Sequence, residues 1–163
     1  MWPLFSVSAT QDPSGGQPSP AQLRLIGLAL LLGATTFAAV AVALPFLGAS
    51  TPVDPSDAAH ESSLGTLRLL SLANLGLGLS ATVVALLMGA RAARQPERAA
   101  VFQIVRWASL EGAALFGIVI VLLGGTFGHL PGATLFYLNL TPLAVFAAVL
   151  VADVSSPLDG AGT

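Results

Sequence analysis

A single glutamate carries the strongest chemical signal in this chain. Glu111 sits within Trp107–Leu123 (WASLEGAALFGIVIVLL), an otherwise apolar run long enough to cross most of a bilayer. Placing a charge there costs roughly 2.5–3.5 kcal/mol on insertion scales, so an intramembrane carboxyl marks a functional site by default. The chemistry open to it is exchange of a proton or a sodium ion. A hairpin turning near Gln95-Pro96 would bring about Ser80 level with Glu111, and Ser80 and Thr82 can offer hydroxyls to the same site. The structural reading of the same residues is a carboxyl, protonated or bonded to Ser80 or Thr82, that only specifies helix pairing. Two depths are open. With Arg106 and Trp107 at the inner interface, Glu111 is about 7 Å deep at 1.5 Å per residue. With Arg98 there, it lies near the midplane.

A second polar layer is expected nearer the outer face. It comprises Asn74, Asn139 and Thr141, with Thr35 or Thr36 at a similar depth. These are read as glue between helices, each bond contributing about 0.6 kcal/mol. Pro142 falls within the fourth apolar run and would free a carbonyl for such partners. His60 and His129 fall in or beside the outer loops. Neither has a further ligand at metal spacing, so both are read as solvated and no metal site is expected. Arg106 is expected to snorkel toward water. No nucleophile–base pair, metal cluster or paired acid is visible, so an enzyme and a bound cofactor are not expected.

The elements that must position these residues are helices in lipid. The 163 residues are 55% hydrophobic and only 9% charged, far from the roughly 25% charged of a soluble domain. Charge is close to neutral, which leaves no footprint for nucleic acid. There are no cysteines and therefore no disulfide framework. Four runs are long enough to span: about Leu25–Leu47, Leu69–Ala90, Ala99–Leu123 and Ala133–Val151. In lipid the backbone must satisfy its own hydrogen bonds, so these runs are helical. Ser19-Pro20 reads as an N-cap followed by proline at the first helical position. Gln95-Pro96-Glu97 separates the second and third helices, with Glu97 in the first turn of the third, and Gly124-Gly125 ends it. Residues 1–22, rich in Pro, Ser, Gly and Gln, read as a flexible cytoplasmic tail before a transmembrane domain over 23–152. Residues 153–163 read as a short C-terminal tail, and Thr51–Ser63 as a polar loop.

Orientation follows from arginine. The second connection carries Arg91, Arg94 and Arg98, beside Gln95 and Pro96, whereas the first carries Asp54, Asp57 and Glu61. The positive-inside rule places the arginine-rich connection, and with it both termini, in the cytoplasm. A weak internal repeat sets Ala29–Leu44 above Ala108–Leu123, with Glu111 replacing Leu32. Gly76, Gly78, Ser80 and Ala81 are small, as are Ser109, Ala113 and Gly117, which predicts close packing between helices two and three.

Leu75–Leu123 resembles subunit c, the rotor proteolipid of ATP synthases. The resemblance rests on Gly76-Leu77-Gly78, on Arg94-Gln95-Pro96, and on Leu110-Glu111-Gly112-Ala113-Ala114-Leu115-Phe116. It implies that Glu111 carries protons or sodium and that Arg94-Gln95-Pro96 contacts the rotor stalk. The first and fourth helices have no counterpart in the two-helix form of that family. Over its full length the chain resembles small four-helix bacterial membrane proteins of unassigned function, through the phrase Arg-Trp-Ala-x-Leu-Glu-Gly-x-Ala-Leu-Phe.

The expected fold is all-α, a four-helix transmembrane bundle of two tandem hairpins in the bacterial inner membrane. The expected function is that of a small non-enzymatic membrane protein whose polar core centres on Glu111, with that carboxyl exchanging protons. The alternatives are a rotor proteolipid that translocates protons or sodium, and a structural accessory subunit of a larger membrane complex. The expected partners are the lipid bilayer and either further copies of the chain or that complex, not nucleic acid.

Overall fold

A computed structural model describes residues 18–47, 58–130 and 134–155. Among them the secondary structure is helical throughout, without strands. The elements are α1 (Pro20–Ala43), α2 (Ala58–Arg94), α3 (Ala99–Thr126) and α4 (Thr141–Ser155). Tighter 3₁₀ segments flank them at Leu44–Leu47, Pro96–Arg98 and Thr134–Leu140. Four helices, counted with these flanking turns, are long and apolar enough to cross a membrane.

Local sequence explains most of the ends. Ser19 caps α1: its hydroxyl accepts from the Gln22 N–H, and the Gln22 side chain accepts from the Ser19 N–H. This capping box satisfies two donors that the first helical turn leaves open. Pro45 has no N–H to continue α1, and the chain tightens there into its 3₁₀ turn. Helix α3 does not stop at Gly124-Gly125, as the sequence suggests. It runs to Thr126 and ends at Gly128, which has φ 72°. The His129 N–H donates to the Gly124 carbonyl at 2.9 Å and the Gly128 N–H to that of Gly125 at 3.1 Å. These two bonds form a Schellman motif, which requires a left-handed residue after the helix and so favours glycine.

Two further expected boundaries are corrected. Helix α2 begins at Ala58, so the second half of the supposed Thr51–Ser63 loop is helix; the first half lies outside the described residues. The fourth span is not one α-helix, because Thr134–Leu140 is 3₁₀ and α-geometry starts only at Thr141. Pro142 is the physical reason, since its ring displaces the carbonyl four residues earlier. That carbonyl, on Leu138, accepts the Thr141 hydroxyl at 2.7 Å instead.

Helix α3 is the hub of the bundle and packs against all three others. Helix α1 lies parallel to it: Gly27 meets Trp107 near one end, and Pro45 meets Gly125 near the other. Helices α2 and α4 run antiparallel to α3, so the described ends of α1 and α4 that lead to the termini share the arginine-rich end. Helix α1 packs on α3 and α4 and scarcely on α2, so the first expected hairpin is one of connection and not of packing. The positions that α1 buries within the internal repeat, Ala34, Ala38 and Ala41, align with buried Ala113, Gly117 and Ile120, but α3 also buries Leu110, Ala114, Ile118 and Val121, whose counterparts in α1 are not buried.

The interior is largely apolar, with Asn74, Asn139 and His129 as the buried polar residues among those described, and large apolar side chains cover much of the exterior. Leu25, Leu32, Leu69, Leu79 and Leu135 are exposed, whereas Ala34, Ala41, Ala85, Ala114, Asn74 and Asn139 are buried. Larger side chains fill three clusters, around Trp107 and Phe146, around Ile120 and Phe136, and around Ile118.

Candidate functional site

Glu111 lies twelve residues into α3, about 18 Å from its start and 22 Å from its end. It is half-buried on the flank of the hub helix, beside the exposed Gly112. It forms no hydrogen bond or ion pair with any described residue. The Ser80 hydroxyl donates to the Gly76 carbonyl and the Thr82 hydroxyl to the Gly78 carbonyl, each at 2.8 Å. Ser80 is moreover exposed. Such back-bonding to the preceding turn is the default for a hydroxyl in an apolar helix. The structure therefore does not join Ser80 or Thr82 to Glu111, and the polar core does not centre on Glu111.

The polar core is built by two asparagines. Asn74 and Asn139 are fully buried and meet between α2 and the 3₁₀ segment that precedes α4. The Asn74 amide donates to both the backbone and side-chain oxygens of Asn139, at 3.2 Å each. Asn139 donates in turn to Ser71 Oγ at 3.0 Å and to the Phe136 carbonyl at 2.9 Å. The last bond satisfies a carbonyl in the 3₁₀ segment that precedes Pro142. Gly117 makes room for this layer: a Cβ there would collide with the Asn139 carbonyl and stand 2.9 Å from Asn74 Nδ2. Asn74 Oδ1 has no donor among the described residues. Thr141, expected in the layer, is exposed and bonded within its own chain turn, and Thr35 and Thr36 donate to carbonyls of α1.

Of the glycines expected between helices two and three, Gly78 and Gly117 are closely approached, but chiefly by residues of the fourth span, and Gly76 is not. Gly76 and Gly112 face open space. Gly78 approaches Pro142 of α4, and Gly117 receives Asn139. Close approach is set by what crosses each glycine, which the spacing of small residues does not reveal.

Arg106 does not snorkel. Its Nη1 donates to Asp153 Oδ1 at 2.8 Å, and the Trp107 indole donates to Asp153 Oδ2 at 2.9 Å. One carboxylate of α4 thus holds two consecutive residues of α3, and Trp107 is buried instead of marking the interface. Neither the Arg106 nor the Asp153 role was legible from spacing, because the two residues are 47 apart in sequence. Arg91, Arg94, Gln95, Pro96 and Arg98 are all exposed at the same end.

The two histidines are not solvated surface residues either. His129 is buried, and its ring lies 4.2 Å from that of His60, centroid to centroid. His129 Nε2 is 2.9 Å from Ser63 Oγ, whose own proton goes to the His60 carbonyl at 2.8 Å. The Schellman turn at Gly128 aims His129 back onto α2. Burial, and then the neighbouring His60, hold His129 below the usual histidine value of 6.5. The unfolded chain therefore takes up this proton first as pH falls. Stability from this contact is complete above about pH 6.5 and declines below it, down through the lowered value. Thermal unfolding should show a midpoint that drops on acidification from neutral pH, and His129→Gln should flatten that part of the profile. An unchanged profile in the variant would assign the drop to other groups.

Comparison of this chain with protein-family models, with curated proteins and with solved structures returned no match.

Proposed function

We propose that the four helices cross a bilayer, and that the chain is a non-enzymatic protein of the bacterial inner membrane whose Glu111 exchanges protons. The leucine-rich exterior of the bundle supports the membrane reading, since water would leave that exterior as one large apolar surface. Arg24, Arg91, Arg94, Arg98 and Arg106 gather at one end, which supports a cytoplasmic location for that end and for both termini. A reporter fused at Thr163 and a cysteine placed at Asp57 should report opposite sides of the membrane. Access to both from one side would reject the topology.

The proton-exchange reading rests on one observation: Glu111 is half-buried near the middle of α3 and has no bonding partner among the described residues. An unpaired carboxyl in a membrane-spanning helix is by default a candidate ion site. A hydrophobic carbodiimide, which attacks protonated carboxyls in lipid, should label Glu111 selectively and more strongly as pH falls. Glu111→Gln should abolish labelling and leave thermal stability unchanged, because no internal bond is lost. Absence of labelling from mildly acidic to mildly alkaline pH would overturn the reading. Protection by sodium would reassign the ion.

A second reading, the accessory subunit, is favoured by the open space at Gly112. A helix from another chain can approach there closely enough to meet Glu111. Size in mild detergent separates the cases: comigration with other proteins supports an accessory subunit, and a large homomeric ring supports a rotor.

A further inference from the structure

The arginine-rich end contains a cavity of about 400 Å³ between the start of α1 and the start of α3, lined by Ser19, Arg24, Pro96, Gln103 and Asp153 among others. A smaller space of about 170 Å³ adjoins it through Gln103 and Asp153 and reaches Arg106. The charges around these spaces do not cancel. Both oxygens of Asp153 are already engaged, by Arg106 and Trp107. Arg24 and Gln103 bond to no described residue, and Arg106 Nε is buried without an acceptor. Three sets of N–H donors therefore surround a space that carries two guanidinium charges and one carboxylate.

The face of α1 that holds Arg24 continues inward as Leu28 and Leu31, at four and seven residues on, which places all three on one side of the helix. There Leu28 and Leu31 face Leu150, Val151 and Val154 of α4 across an apolar groove of about 160 Å³. Unmet cationic donors at the end of the bundle, followed by an apolar groove along the same helix, match the layout of a phospholipid. Guanidinium groups suit phosphate oxygens, which they can engage with paired N–H donors, and basic pockets between helices on the cytoplasmic side suit anionic headgroups. We propose that this site binds an anionic phospholipid, its phosphate held by Arg24 and Gln103 and its first acyl segment lying between α1 and α4. The proposal is independent of the role given to Glu111.

Free inorganic phosphate shares the headgroup chemistry, and the groove decides for the lipid. The test uses the full chain, purified in mild detergent and mixed with phosphatidylglycerol or phosphatidylcholine of the same acyl chains. Bound lipid is read by native mass spectrometry and by the unfolding temperature. Phosphatidylglycerol should be retained and should raise the unfolding temperature, and phosphatidylcholine should do neither. Arg24→Gln should weaken retention by about tenfold, the loss of one charge-assisted contact, while unfolding at the wild-type temperature without lipid, because Arg24 has no partner to lose among the described residues. Arg91→Gln, outside the cavity, should retain lipid normally. Leu28→Trp, which fills the groove, should reduce lipid binding. Equal retention of the two lipids, or equal effects of Arg24→Gln and Arg91→Gln, would overturn the proposal. Inorganic phosphate that raises the unfolding temperature as much as the lipid, with Leu28→Trp without effect, would overturn it in favour of a free anion.

Discussion

Gly117→Ala should be among the most damaging single substitutions in this chain. Elsewhere in a helix, alanine for glycine stabilises by roughly 0.5–1 kcal/mol, because it removes backbone freedom from the unfolded chain. At Gly117 the added methyl collides with the backbone carbonyl of Asn139. A side chain can rotate away from a clash, but this carbonyl is fixed by the 3₁₀ segment and by the Asn74 bond. Helix α3 must therefore move away from α2 and α4, which breaks the asparagine layer. Overpacking costs about 1–3 kcal/mol, and each buried polar group left unpaired adds roughly 1–3 kcal/mol. The expected loss is about 3 kcal/mol or more. Gly112→Ala is the matched control, five residues away on the same helix, where nothing stands within 4 Å of the new methyl. It should be neutral or stabilising. Thermal unfolding of both variants in one detergent checks the pair, and equal midpoints would refute the packing of α3 against Asn139.

Asp153→Ala should cost about 3 kcal/mol and loosen α4 from α3. The substitution leaves the Arg106 guanidinium and the Trp107 indole without their acceptor in a mostly enclosed site. Removing one partner of a buried pair destabilises by roughly 3–5 kcal/mol, chiefly because the other charge stays behind. The lower figure applies here because the Arg106 and Asp153 side chains are 20% and 14% exposed. Adding Arg106→Leu to Asp153→Ala should recover much of the loss, since an apolar pair needs no counter-charge. Asp153→Asn should cost less than Asp153→Ala, as its amide oxygen still accepts one bond. A double-mutant cycle measures the coupling. A double variant no better than Asp153→Ala would mean that the contact is not a charge pair.

Pro142 shows how far local sequence reaches. Its ring dictates that a carbonyl four residues earlier must find another donor, and the sequence offers Thr141 and Asn139 nearby. Which donor goes where depends on the turn geometry: Thr141 takes the Leu138 carbonyl and faces outward, whereas Asn139 takes that of Phe136 and points inward to Asn74. The N-cap at Ser19 was legible because a cap involves only neighbours in sequence, whereas the return bond from Gln22 that completes its capping box emerged from the structure. Glu111 was legible as an oddity, since any charge in an apolar run stands out. Its surroundings were not, because equal distance from a turn sets depth along a helix but not the direction in which a side chain points.

Composition and run length alone determined that the described chain is helical, that four helices are long enough to span a membrane, and where the arginines divide one end from the other. These properties follow from the cost of unpaired backbone in an apolar medium and from the rise per residue, both of which act locally. The tertiary structure decided that α3 and not a hairpin pair organises the bundle, that Asn74 and Asn139 form its polar core at Gly117, that Asp153 holds Arg106 and Trp107, and that His129 rests on His60. Each of those contacts joins residues more than twenty positions apart or on separate helices. Their partners are selected by helix rotation and crossing, which follow from mutual packing of all four helices and have no signature in any one of them.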